Sequence, residues 1–145
     1  MARNVYEKIH EINYLCAEID ALYHQASRKL GLSDSVSRVL YTICDTGEDC
    51  LLSDIYKKSG TSKQTVNSAI RQLEREGVLY LEPYRGRSKR VVLTEQGRAL
   101  MEETAARIYE AENQALAAWP EADIEAYISF MERALGDLKR QFDSW

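Results

Sequence analysis

Seven residues, Pro83 to Lys89, separate two β-prone runs in the middle of a sequence whose remaining periodicity is helical. Val78-Leu79-Tyr80-Leu81-Glu82 and Arg90-Val91-Val92-Leu93 are rich in branched and aromatic side chains, which suit a pleated surface. The proline and Gly86 between them demand a turn, so the segment reads as a β-hairpin. Its tip carries Arg85, Arg87 and Lys89, with Arg90 at the return.

Around the hairpin, apolar residues recur at three- and four-residue spacing. Residues 4–30 predict a first helix with a stripe of Val5, Ile9, Ile12, Cys16, Ile19, Tyr23, Ala26 and Leu30. Gly31 is suited to stop it, and Ser33 to cap a second helix with Val36, Val39, Leu40 and Ile43 inward. A polar loop, Asp45 to Asp49, comes next. A short helix over 53–58 follows, broken by Ser59-Gly60. The next helix runs to about Glu76, with Thr61 (in capping-box spacing with Gln64) and Ser62 equally good as its cap. Two helices across a glycine-containing turn make a helix-turn-helix candidate. Thr94 is placed to cap one long helix ending before Trp119-Pro120. A last helix begins near Pro120 and carries Ile124, Tyr127, Ile128, Met131, Leu135, Leu138 and Phe142 to the chain end. The expected fold is mainly α with a small β-hairpin wing. A winged helix-turn-helix lobe occupies 34–94, and 1–33 with 95–145 form a helical dimerisation lobe.

The formal net charge of −4 argues against a polyanionic partner only until it is mapped. Between Lys57 and Arg90 lie nine lysines and arginines against Glu74, Glu76 and Glu82, a surplus of six. The rest of the chain therefore carries −10. A basic centre in an acidic protein is the electrostatic footprint of a nucleic-acid face. On the second helix of the motif Val66, Ile70 and Leu73 point inward. Ser62, Lys63, Gln64, Asn67, Ser68 and Arg71 are left outward, with Thr65 near the boundary, and acids appear only at the far end of that face, as Glu74 and Glu76. Hydroxyls, amides and single cations are what phosphate contact and base-edge reading require. With the wing residues Arg85, Arg87, Ser88, Lys89 and Arg90 they form the expected surface for double-stranded DNA. A winged helix used only for protein interaction would need no such basic wing.

No apolar run approaches the roughly 18 residues of a membrane span, and Arg3, Glu7 and Lys8 fit an amphipathic helix better than a signal peptide. A cytoplasmic location is expected. Three cysteines without CxxC spacing do not make a disulfide framework. Cys16, Asp20 and His24 share a four-residue spacing, but each step rotates by about 40°, and no second ligand cluster accompanies them. No metal, cofactor or enzymatic motif is expected. The stripes of the first and last helices have nothing else in so small a chain to cover them. Val5, Ile9, Ile12, Ile124, Ile128, Met131, Leu135, Leu138 and Phe142 are therefore assigned to a homodimer interface.

Five segments resemble the MarR (multiple antibiotic resistance regulator) family of winged helix-turn-helix regulators. They are Ser53-Asp54-Ile55, Gly60 to Val66, Leu73 to Leu79, Gly86 to Lys89, and Val91-Val92-Leu93-Thr94-Glu95-Gln96-Gly97. The resemblance extends over 1–145 as one MarR-like domain. It implies a homodimeric regulator, expected to repress from a palindromic operator, with a small-molecule effector tuning its affinity. It also implies a recognition helix in the major groove and a wing arginine, at Arg87, in the minor groove. The family often has an acidic residue two positions before that arginine, where this chain has Arg85, and an arginine where it has Ser68. Arg87 must then be held by something else, and base reading moves to Gln64, Asn67 and Arg71. Some members sense oxidants through a cysteine near the start of the first helix. Cys16 invites the comparison, although its distance to Gly31 does not match, and Cys44 and Cys50 flank a loop. A cysteine-based redox regulator is the alternative.

Overall fold

The computed structural model describes residues 2–145, with side chains from Asn4 onward. The Arg3 side chain, used above against a signal peptide, lies outside the described residues. The elements in chain order are α1 (Ala2–Lys29), α2 (Asp34–Thr46), α3 (Leu52–Lys58), α4 (Lys63–Arg75), β1 (Leu79–Pro83), β2 (Lys89–Leu93), α5 (Glu95–Glu103), α6 (Ala105–Ala117) and α7 (Glu121–Asp143). Contacts within the chain gather into two units, Met1–Tyr109 and Glu110–Trp145. Among the described residues no helix is long and apolar enough to cross a membrane.

The first unit holds the core. Val36, Val39, Leu40 and Ile43 of α2 meet Ile55 of α3 and Val66, Ala69, Ile70 and Leu73 of α4. Val78, Leu79 and Val91 close it from the hairpin side, and Met101 and Ala105 from the following helices. These are the inward stripes expected from sequence. The caps are as local chemistry predicts: the Ser33 hydroxyl accepts from Val36 N at 3.3 Å, and Ser62, rather than Thr61, caps α4 by accepting from Thr65 N at 3.2 Å. In α3 the cap works in reverse. Asp54 Oδ2 accepts from the backbone N–H of Leu51 at 2.9 Å, so the helix begins at Leu52, one residue before the expected start.

The strands pair antiparallel from Leu79↔Leu93 to Pro83↔Lys89. The tip closes through Tyr84 N to Ser88 O and Ser88 N to Arg85 O, each 3.0 Å, with Gly86 at a φ of 58°, where an L side chain is disfavoured. A lone bridge pairs Leu51 with Arg90, and Val91 N donates to Cys50 O at 2.9 Å. The hairpin is thus tied to the segment entering α3.

One expectation is corrected. The helix drawn continuously from Thr94 to before Trp119 is two helices, broken at Thr104 with ψ −90°. The buried Thr104 donates its hydroxyl to Leu100 O at 2.6 Å, a local bond that competes with the helical backbone pattern. The Thr94 cap itself stands: its Oγ1 accepts from Gly97 N at 3.0 Å. Of the first helix's stripe only the last turns pack within the chain, where Ser27 is buried and donates to the Ser37 hydroxyl at 2.8 Å. Val5, Ile9, Ile12 and Ile19 are exposed. In the second unit, α7 has no buried residue among those described.

Candidate nucleic-acid interface

The helix-turn-helix is set by α2. Arg38 Nη1 donates to Ser59 O at 3.1 Å, fixing the turn between α3 and α4, and Gly60 turns there at a φ of 66°. With Val66, Ile70 and Leu73 buried, helical geometry leaves Ser62, Lys63, Gln64, Thr65, Ser68 and Arg71 exposed, as expected. Asn67 departs from that pattern and is half-buried. Its Oδ1 accepts a hydrogen bond from the Tyr56 hydroxyl of α3, while Arg71 Nε donates to Asn67 O at 3.3 Å. Ser68 spends its hydroxyl proton on Gln64 O at 3.0 Å. The Lys63 ammonium lies 5.2 Å from the centre of the Tyr56 ring.

A cleft of about 560 Å³ separates α3 and α4 from the wing. Apolar and aromatic side chains, Tyr56 among them, line it together with Asn67, Arg71, Arg87, Ser88, Lys89 and one acid, Glu74. The structure thus brings two of the candidate recognition-helix residues and three of the wing residues around one groove. Ser62, Lys63, Gln64, Thr65 and Ser68 lie outside it. Arg85 stacks on Tyr84, its guanidinium 5.6 Å from the ring centre. Among the described residues Lys63, Arg71, Arg85, Arg87 and Lys89 form no ion pair, so their charge is available to a polyanion.

Arg90 is differently placed. It stands opposite Glu82 in the hairpin register, donates to Glu82 Oε1 through Nε at 2.7 Å and reaches Asp49 Oδ1 at 3.5 Å. The hydrogen bond and charge of Glu82, with a smaller part from Asp49, hold its pKa above the ordinary arginine value. Arg90 is half-buried and engaged inside the protein, whereas the tip cations are free. Sequence alone did not separate the two groups, because residues 82 and 90 meet only once the hairpin register is known.

Cys44 and Cys50 do not resemble thiolate sensors. Burial, then Asp54, pushes the Cys50 thiol up to about 11, and burial, then Asp45, raises Cys44. A reactive cysteine needs the opposite shift. At pH 8 a thiol at 11 is roughly one-thousandth ionised, against about a quarter for an ordinary one near 8.5. Because folding raises this pKa, the stability that the buried thiol contributes is lost as pH rises from about 8.5 toward 11. Iodoacetamide at pH 8 should alkylate Cys50 at least 100-fold more slowly in the native protein than in urea, read by peptide mass mapping. Equal rates in the two states would show that the site is open. His24 Nδ1 contacts Asp34 Oδ2 at 2.7 Å, and among the described residues no group of three metal-ligating side chains occurs.

Residues 30–88 match the model of the MarR family. No curated protein sequence matches the chain. Solved structures match it over most of both lengths. A MarR/EmrR family transcriptional regulator from Acinetobacter sp. ADP1 superposes with a TM-score of 0.70 at 20% identity, over 92% of this chain and 96% of that one. S. aureus MepR, solved as a DNA complex, gives 0.68 at 20% identity, over 88% and 93%. Bordetella bronchiseptica BpsR, whose DNA binding is regulated by 6-hydroxynicotinic acid, gives 0.62 at 21%, over 86% and 98%.

Proposed function

This chain belongs to the MarR family through its winged-helix segment, and from that premise we propose that it is a homodimeric, sequence-specific DNA-binding repressor. The observation that carries this reading is the outer face of α4 from Ser62 to Arg71, whose one flanking acid in the helix is Glu74 in the last turn, beside a wing whose Arg85, Arg87 and Lys89 form no ion pair among the described residues. A helix of this width fits the major groove, and the hairpin reaches the adjacent minor groove. That MepR, of the same fold, was solved as a DNA complex supports DNA binding here. Two recognition helices related by a two-fold axis select a pseudo-palindrome with half-sites about 10 base pairs apart. A small organic effector that changes the separation of the helices would tune affinity, and the regulation of BpsR by 6-hydroxynicotinic acid supports that extension.

Helix and wing contribute differently, and this tests the proposal. Arg87→Ala removes a cation at the groove, so it should weaken binding to every duplex and lower the slope of log K against log salt by about one unit. The extra loss should fall on A·T-rich flanks, where the narrow groove attracts arginine. Gln64→Ala removes no charge. It should leave the slope unchanged and cost about 1–3 kcal/mol on the selected operator, with little effect on scrambled duplex. Fluorescence titrations at several salt concentrations on both duplexes decide it. If both variants retain the wild-type slope and operator preference, the docking is wrong.

A further inference from the structure

We propose that Tyr56, which lies on α3 and not on the recognition helix, is a positioning residue that sets which bases Asn67 accepts. The inference rests on the DNA-binding reading above and adds to it a specificity rule. The Tyr56 hydroxyl donates to Asn67 Oδ1. The Lys63 ammonium 5.2 Å from the Tyr56 ring centre favours the electron-rich face of the phenol and makes its hydroxyl a better donor than acceptor. The Tyr56 bond turns the side-chain amide oxygen toward α3, and the group left to meet a base edge is the Nδ2 amide NH2, a donor. Arg71 Nε is itself engaged by the backbone carbonyl of Asn67 at 3.3 Å.

In the major groove, guanine offers N7 and O6, adenine offers N7 and thymine offers O4 as acceptors. Cytosine offers only its N4 amino donor and cannot pair with an amine. The half-site position touched by Asn67 should thus exclude cytosine on the contacted strand and tolerate the other three bases. An unrestrained asparagine would turn its oxygen toward cytosine N4 and lose that exclusion. Tyr56→Phe removes the hydroxyl and keeps the ring, so the packing of the cleft and the Lys63 contact are retained.

The experiment has two arms. In the free protein, the Asn67 side-chain amide resonance, assigned by its disappearance in Asn67→Ala, should shift in Tyr56→Phe. On DNA, every single-base variant of the selected operator is titrated against wild type, Asn67→Ala and Tyr56→Phe. Asn67→Ala locates the base pair that Asn67 reads. There wild type should discriminate against cytosine by about tenfold, and Tyr56→Phe should reduce this to within about threefold while leaving other positions and the salt slope unchanged. A Tyr56→Phe protein that keeps the wild-type base profile, or that loses affinity equally for all bases, overturns the role of Tyr56 and leaves the DNA reading standing. A wild type with no base preference at any position overturns the DNA reading and this inference together. An Asn67 amide resonance unmoved by Tyr56→Phe overturns the inference independently of DNA.

Discussion

Gly97→Ala should lower the melting temperature by about 10 °C, the largest effect expected of an added Cβ at any of the glycines. A Cβ at Gly97 would lie 1.9 Å from Val78 O and 2.9 Å from Val78 C. Both are backbone atoms, so no rotamer change relieves the overlap. The first turn of α5 would have to move away from the strand. That displacement strains Thr94, whose N donates to Val78 O at 3.0 Å and whose Oγ1 donates to Gly77 O at 2.6 Å. Overpacking of this kind costs about 3 kcal/mol, and at about 2–4 °C per kcal/mol for a chain of this size the shift follows. Gly77→Ala is the useful comparison. Its φ is 74°, yet a Cβ there meets only Gln96 Oε1 at 3.5 Å, so the cost is the left-handed backbone alone, about 1–2 kcal/mol. Thermal denaturation at one protein concentration should rank Gly97→Ala well below Gly77→Ala. The reverse order would mean that the Val78–Gly97 contact is not made.

Leu135→Asp should dissociate the proposed homodimer while leaving the core of the first unit folded. Leu135 is 70% exposed within its own chain, and Ile128, Met131, Leu138 and Phe142 are exposed beside it. Along α1, Val5, Ile9 and Ile12 are exposed too. So much apolar surface is unusual in a monomer, and a two-fold interface uses each residue twice. Losing two leucine burials removes about 3–6 kcal/mol, a weakening of the dimer by roughly 10²- to 10⁴-fold. Because Leu135 is exposed within its own chain, the substitution costs the monomer little. Sedimentation should show a dimer for wild type and a monomer for the variant at micromolar concentration, with Val36, Leu40 and Ile70 still protected from hydrogen exchange. A well-folded wild-type monomer, or a variant that remains dimeric, defeats the assignment.

The parts of this structure governed by neighbours in sequence were legible. Ser33, Ser62 and Thr94 cap helices through residues three positions on, and the stripes of α2 and α4 face the core as their periodicity requires. The break at Thr104 was not legible, since Glu-Glu-Thr-Ala-Ala contains neither proline nor glycine. It falls at a buried side chain bonded to its own helix. Tyr56 escaped notice because its partner, Asn67, is eleven positions away on another helix. Arg90 was grouped with the wing tip on charge alone, and its pairing with Glu82 and Asp49 emerges only from strand register and a loop from before α3.

Those ties on Arg90, with the bond from Val91 N to Cys50 O, bear on the thermodynamics of association. A hairpin anchored at one end only would sample many orientations and would have to surrender them on meeting a duplex. Here β2 is tied through Arg90 and Val91 to the segment leading into α3, so part of the loss of conformational entropy is incurred when the chain folds. The strands of the wing are then preorganised, and the ordering left for encounter falls mainly on exposed side chains such as Arg85, Arg87 and Lys89.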